Sequence, residues 1–598
     1  MRNLRGADRD SNAPITCILG AARVMIAIKD LRRSVEHADW REARSLTHFA
    51  QEPASLRAAV LARWLDRVVL DLVRQLRWSY LPPLMVYLAA GIAGLTSVVG
   101  AFFIKEYLGL SAAFLAGLAF WAGLPWALKM PMGHVVDLMW RRKSMLVYLG
   151  ATLIAASMGI MYGLIARPDI MTQAMSVEAW YIVSVLLAPV GYVVQDVVAD
   201  AMTVEAVPAS DEHGEPYTEA QTKSMHTTMQ TLGRIAIISG LMIVAALNIA
   251  MFSGVSELAQ ADKAVIYARI YLFALAIPAI SVLGVVLGDV SLRRRAQTLR
   301  HRDVDEERIA AMLYTQDRRP EPNWWILGGT AVFVAFSLSM GLSRLAFAQE
   351  LTFAGSILIV GFLLHRLLLE LESDARRALI GTAVIIFVFR AVPLPGPGVT
   401  WWEIDVLGFD QQFLAVLSLI TSGLTLAGMV LLRPFIARHS IAYVVLLLSI
   451  AAGLFTLPNI GLYYGIHEWT QSWSGGVVDA HFIAILDTAL ESPLGQISMI
   501  PMLAWIAKNA PRHLKATFFA VMASFTNLAL SASSLLTRYL NQYFVVTREI
   551  VDPATGTVSI PSDYGDVGRL LIAVTVITVA APLIAIALVQ ISPLRTHE

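Results

Sequence analysis

Apolar stretches about twenty residues long recur through most of this 598-residue chain, and each is long enough to cross the hydrocarbon core of a bilayer as a helix. A helix satisfies its own backbone N–H and C=O groups, which lipid cannot do for it. Windows of that length predict about six spans before residue 290, near 82–104, 112–138, 144–166, 177–204, 226–252 and 266–289. A hydrophilic stretch follows, from Ser291 to Asn323. About eight more come after it, near 324–343, 348–370, 377–394, 409–432, 440–463, 478–507, 514–541 and 567–591. At 57% hydrophobic and 15% charged residues, the chain is too apolar for a soluble protein of this length, so the lipid bilayer is its first partner.

Charge is nearly balanced at +1, so no broad basic field is present and nucleic acid is excluded as a partner. The cations concentrate in short loops: Arg141, Arg142 and Lys143; Arg293, Arg294 and Arg295 with Arg300 and Arg302; Arg376 and Arg377; Arg433 and Arg438; Lys508, Arg512 and Lys515. If every predicted span crosses once, all of these loops lie on one side. The positive-inside rule makes that side the cytoplasm and puts both termini there, in a multi-pass inner-membrane protein. Loops on the other side carry Pro, Gly and Trp, as in Pro393, Pro395, Gly396, Trp401 and Trp402.

Residues 1–80 are Arg-rich and show no convincing signal-cleavage site. Leu and Val alternate with Arg and Asp at helical spacing from Ser55 to Arg77. Two readings stand: an amphipathic cytoplasmic helix on the membrane surface, or a packing or targeting extension without chemistry. The single cysteine, Cys17, cannot form an internal disulfide and excludes a Cys-built metal site. His134, His365, His467 and His481 are scattered without ligand spacing, so no metal is expected. No phosphate-cradling Gly loop with Lys and no nucleophile–base set stands out, which argues against ATP-driven pumping, a cofactor or an enzyme.

Two of the predicted spans carry acids at the same spacing. The fourth holds Asp196 and Asp200, with Glu205 five residues on; the tenth of a six-plus-six arrangement holds Asp487 and Glu491, with Gln496 five residues on. Residues four apart share a helix face. A carboxylate inside a bilayer is expensive and needs a partner, water or a proton. Glu205 and Gln496 are rotated off that face, toward helix packing or a cytoplasmic gate.

Gly133, then Asp137, then Arg141, Arg142 and Lys143 across a tight loop resemble the loop signature of the major facilitator superfamily. Gly133 suits close helix approach and Asp137 a nearby cation or helix N-terminus. More specific company surrounds it: Phe103, Lys105, Glu106 and Ser111; Leu124, Pro125, Trp126 and Lys129; Gln195, Asp196 and Asp200 through Glu205. With Asp487, Glu491, Gln496 and Pro501, then Pro511 and Ala516 through Asn527, these residues resemble the folate–biopterin transporter family. The run from Gly233 and Arg234 to Gly240 is similar to the muropeptide permeases. Together the resemblances cover roughly residues 80–290 and 376–592.

The resemblance implies an all-α polytopic membrane protein with the major facilitator fold. Two six-helix bundles, 81–290 and 376–598, would flank a basic cytoplasmic linker, 291–323, and two extra helices within 324–375, for about 14 spans. Three departures from a twelve-span pattern are the N-terminal extension, the extra helix pair and a polar external segment, Arg548 to Asp566. The implied function is secondary active transport of a small organic, anionic solute by alternating access between the two bundles. Asp487, Glu491, Asp196 and Asp200 are the candidates for coupling to protons. Static ion pairing is the other reading for the fourth span, with Arg234 or Lys129 as the neutralising cation. Lys129, Arg234, Arg390 and Asn527 are the candidates for holding solute, although Arg390 also sits where a side chain can snorkel. Gly133, Asp137, Arg141, Arg142 and Glu205 are the candidates for a cytoplasmic gate. The expected partners are a small-molecule solute and protons, with the protein a monomer. The alternative from a different class is a non-transporting membrane scaffold or assembly factor built on a transporter fold.

Overall fold

The computed structural model describes residues 76–595 apart from 109, 128, 208–216, 256–257, 259, 302–303, 307–308, 310–323, 344, 369–371, 432–438, 492–514 and 552–557. The expectation for the extension 1–80 therefore lies almost wholly outside the described residues, as do those for Gln496, Pro501, Arg433, Arg438, Lys508 and Arg512.

Among the described residues, helices occupy every window predicted to span. The first span is α1 (Leu81–Ile92) and α2 (Ser97–Tyr107), joined by a 3-10 turn at Ala93–Thr96. Pro82 and Pro83 open α1, where a missing N–H costs nothing. The second is α3 (Ala112–Ala127) and α4 (Lys129–Leu138). Pro131 has no N–H to donate to the carbonyl of Ala127, so the helical ladder lacks one bond in this stretch, where α4 opens at Lys129. Next come α5 (Ser144–Ala166) and α6 (Val177–Ala206), the latter capped by the Ser176 side chain accepting from the Ala179 N–H. α7 (Glu219–Phe252) begins with a Thr218–Gln221 capping box. α8 (Gln260–Ala274) and α9 (Ala276–Arg300) complete the N-terminal half.

The extra pair is α10 (Trp324–Leu342) and α11 (Ala348–Leu368). The C-terminal half then runs through α12 (Ser373–Arg390), the short α13 (Pro397–Asp405), α14 (Gln411–Leu431), α15 (Ile441–Phe455), α16 (Leu457–Tyr463) and α17 (Ile466–Trp473). It ends with α18 (Ala480–Glu491), α19 (Lys515–Tyr543), an antiparallel pair β1 (Ile550–Val551) and β2 (Val558–Ile560), and α20 (Val567–Ile591). The small hairpin is the one departure from an all-helical chain among the described residues.

Eight helical stretches among the described residues are long and apolar enough to cross a membrane, and four shorter apolar helices accompany them. Two of the predicted spans, α12 and α19, are helical yet fall in neither group. α12 opens with Asp374, Arg376 and Arg377, and α19 carries Ser524, Thr526, Asn527, Ser531, Ser533 and Ser534 along its length. The chain is an integral, multi-pass membrane protein.

Close helix crossings hold the N-terminal half. A Cβ on Gly240 of α7 would stand 2.7 Å from the Leu88 carbonyl of α1. Gly150 of α5 and Gly191 of α6 face each other the same way, at 2.7 and 2.6 Å from the opposite carbonyl. Without a hydrophobic drive between helices in lipid, such backbone approach is the main source of packing energy. The approach expected at Gly133 is not made: among the described residues nothing lies within 4 Å of where its Cβ would be. The two halves meet where α3 packs on α19 and α7 on α14, with α11 lying along α19.

Candidate functional site

Three spans of the N-terminal half converge on the first acidic pair. Lys129 Nζ lies 2.5 Å from Asp196 Oδ2 and 2.8 Å from Asp200 Oδ2. Tyr87 of α1 donates its hydroxyl to Asp200 Oδ1 at 2.5 Å. The i, i+4 spacing on α6 puts both carboxylates on one face, and Lys129 reaches both of them from α4. Gly233 of α7 makes room for the tyrosine: a Cβ there would sit 2.8 Å from the Tyr87 ring. Of the two cations expected to neutralise the pair, Lys129 makes the contacts. Arg234 is exposed and close enough to act electrostatically on Asp196.

Neither Arg234 nor Arg390 forms an ion pair among the described residues. Arg390, at the end of α12, lies within electrostatic reach of Arg234, so two cations from opposite halves are neighbours. The Nε of Arg390 is buried without a hydrogen-bond partner among the described residues. Asn527 of α19 donates to the Trp126 carbonyl of α3 at 3.1 Å, a bond between the halves near the level of Lys129.

The second acidic pair has different company. Asp487 is buried, and its Oδ2 accepts from Asn459 of α16 at 3.2 Å. The Glu491 side chain lies outside the described residues, as do those of Asp137 and Arg141. At the other end of α6, Glu205 pairs with Lys143 at 2.5 Å, and Lys143 Nζ also lies 4.6 Å from the Trp140 ring centre. The third member of the basic loop therefore makes the contact, while Arg142 is exposed. Ser144 hydrogen-bonds Asp289 of α9 at 3.2 Å beside it.

Sequence reasoning missed Tyr87, Asn459 and Lys143 as partners of these acids. A lone tyrosine in an otherwise apolar span was the available signal for the first. The polar segment Arg548 to Asp566 is also more than an external loop, since Arg548 is buried against the N-terminal half.

Comparison with known proteins agrees with this architecture. The BT1 family matches residues 370–597, which cover the C-terminal half. A folate-biopterin transporter of Synechocystis sp. is 25% identical over 173 residues, 28% of this chain. That match spans 34% of the relative's own length. Two crystal structures of POT family transporters share the fold. One, in complex with a thioalcohol-conjugated peptide, has a TM-score of 0.52 at 12% identity and covers 86% of this chain and 96% of its own. The other, in complex with 5-aminolevulinic acid, has a TM-score of 0.53 at 12% identity and covers 84% and 94%. The chain is thus a multi-pass membrane protein with the major facilitator fold whose sequence resembles the folate–biopterin transporter family.

Proposed function

We propose that the protein is a secondary active transporter that moves a small organic anion across the inner membrane by alternating access coupled to protons. The fold and the family resemblance are those of transporters rather than enzymes. The observation that carries the coupling is the Lys129–Asp196–Asp200–Tyr87 cluster. One cation faces two carboxylates within an apolar bundle, so the group retains one negative charge. A proton on either acid cancels that charge. Asp487, buried within α18, is the candidate for a second protonation site in the C-terminal half, with Glu491 one turn further along the same helix.

Arg234 and Arg390 supply the anion specificity. They come from opposite halves, lie near each other, and pair with no acid among the described residues. A carboxylate between them would offset their repulsion and link the two halves. A solute of the folate/pterin or muropeptide kind carries such a group. Cations in the loops of Arg142 and Arg293–Arg295 place both termini in the cytoplasm by the positive-inside rule.

The test is uptake into proteoliposomes with and without an imposed pH gradient, using pterins, folates and muropeptides. Gradient-driven accumulation is expected for one class. The double variant Asp487→Asn/Glu491→Gln should lose that accumulation and keep part of solute exchange. Undiminished pH-driven uptake in the double variant would sink the coupling role, and no uptake of any anion would leave a non-transporting scaffold as the better reading.

A further inference from the structure

The span formed by α15 and α16 ends at Tyr463, and the chain then turns into a helix of its own. Gly465, at φ 79°, makes the turn after α16, and Gly475, at φ 66°, makes another after α17. A side chain at either position would strain that backbone. The eight residues of α17, Ile466–Trp473, are thereby set off from the span, at its end opposite Arg438.

Local contacts hold α17 to its neighbours. Thr470 Oγ1 donates to the Val478 carbonyl at 2.8 Å, and the Val478 N–H donates to Ser474 Oγ at 2.8 Å, so the following segment folds back on the helix. Ile466 packs back on α16, where a Cβ on Gly461 would stand 3.0 Å from it.

At about 100° per residue, Ile466, Trp469 and Trp473 share one face of α17, and Glu468, Gln471 and Ser472 share the other. The apolar face is uncovered: Trp469 is 67% exposed and Trp473 79%. Their rings lie parallel, with centres 6.4 Å apart. Tyr464 and Val477, which flank the helix, are exposed as well. Single exposed apolar residues are ordinary, whereas a cluster around two tryptophans marks an interaction surface.

The surroundings say what that surface meets. Apolar side chains are also exposed on the two spans that α17 joins, Leu454 and Leu457 before it and Phe482 and Leu486 after it, where the bilayer covers them. The helix sits at the level where a span leaves that bilayer. Tryptophan suits this level, because its ring is apolar and its N–H still finds a partner among the headgroups. α17 carries Glu468 and no Lys or Arg, so attraction to anionic headgroups is not what holds it.

We propose that α17 is an interfacial anchor, lying in the headgroup layer with Trp469 and Trp473 turned into the acyl boundary, and that zwitterionic lipid suffices to hold it. The anchor pins the corner between α16 and α18, the two helices joined by the Asn459–Asp487 bond. It is independent of what the protein transports.

The experiment places spin labels on single cysteines along α17 in a Cys17→Ser background, in phosphatidylcholine liposomes. Oxygen concentrates among acyl chains, and a nickel chelate stays in water. At Ile466→Cys, Trp469→Cys and Trp473→Cys, the ratio of oxygen to nickel collisions should be several-fold higher than at Glu468→Cys, Gln471→Cys and Ser472→Cys. Adding phosphatidylglycerol or raising salt should leave the pattern unchanged. Equal nickel access at all six positions overturns the proposal, because the face is then in water. Protection from both reagents at 469 and 473 overturns it too, since a partner protein or a second copy then covers the face. A pattern that appears only with phosphatidylglycerol overturns the choice of lipid. Because a label replaces the indole it probes, the native pair is read separately. The fluorescence lost in Trp469→Phe/Trp473→Phe should be quenched by brominated acyl chains and spared by aqueous iodide, and the reverse overturns the anchor.

Discussion

Tyr87 donates its hydroxyl to Asp200 across 113 residues of sequence, at 2.5 Å. This bond ties the first span to the fourth, and Lys129 of the second span completes the same cluster. Three spans of one half are thus cross-linked through polar atoms inside an otherwise apolar packing. Gly233 of the fifth span is the reason the tyrosine ring fits.

Tyr87→Phe removes only the hydroxyl and should cost about 1 kcal/mol. Gly233→Ala pushes on the ring itself and should cost about 1–3 kcal/mol, as overpacking does. Both should lower uptake, with the alanine variant the worse of the two. Thermal unfolding in detergent checks the order, and a Gly233→Ala protein of wild-type stability would contradict the packing account.

Lys129→Met leaves two carboxylates facing each other without their cation. Removing one partner of a fully buried pair costs about 3–5 kcal/mol. The Asp200 side chain is 43% exposed, so solvent screens part of this and about 1–2 kcal/mol is expected. Adding Asp196→Asn should restore most of the loss. A double-mutant cycle measures the coupling, and strictly additive effects would show that the three charges act independently.

Lys105→Met should loosen the contact between the halves that the end of α2 makes with Asp405 of α13. The pair with Asp405 is only partly buried, so about 1 kcal/mol or less is at stake. Asp405→Asn should do somewhat more, because it also weakens the Tyr564 contact. Thermal unfolding in detergent checks both variants, and wild-type stability in both would contradict the contact's contribution. High salt should lower the stability of the wild type more than that of the Lys105→Met variant.

Arg234→Lys and Arg390→Lys keep the charge but lose the planar two-pronged donor. Each should raise the half-saturating concentration of an anionic solute roughly tenfold, with little change in thermal stability. Equal loss of binding for a neutral analogue would show that the effect is structural instead.

Much of the architecture was legible because lipid enforces it. A span must be helical and about twenty residues long, so the described parts of the windows from 82–104 to 567–591 are helical. The limits of that legibility lie in α12 and α19, whose charged or hydroxyl-rich stretches keep them out of the apolar sets although they are helices. Gly133 illustrates a different limit. Small residues are common along these spans, and which of them meets another helix depends on crossing points that no local pattern encodes; Gly91 with Gly240 and Gly150 with Gly191 make the contacts. The acidic spacing on α6 was readable as one helix face, whereas the choice of Lys129 over Arg234 as its cation was not.

By itself, then, the sequence determined the helical spans and the shared face of Asp196 and Asp200. Those properties follow from backbone hydrogen bonding in lipid and from helical period, both local along the chain. Only the tertiary structure decided that Tyr87 and Lys129 hold the acids, that Glu205 meets Lys143, and that Arg234 and Arg390 make no ion pair among the described residues. It also decided that Asp405 pairs with Lys105 across the two halves. Each of these depends on which groups from distant segments arrive within about 3 Å of one another, and burial and charge pairing take their values only once the helices have packed.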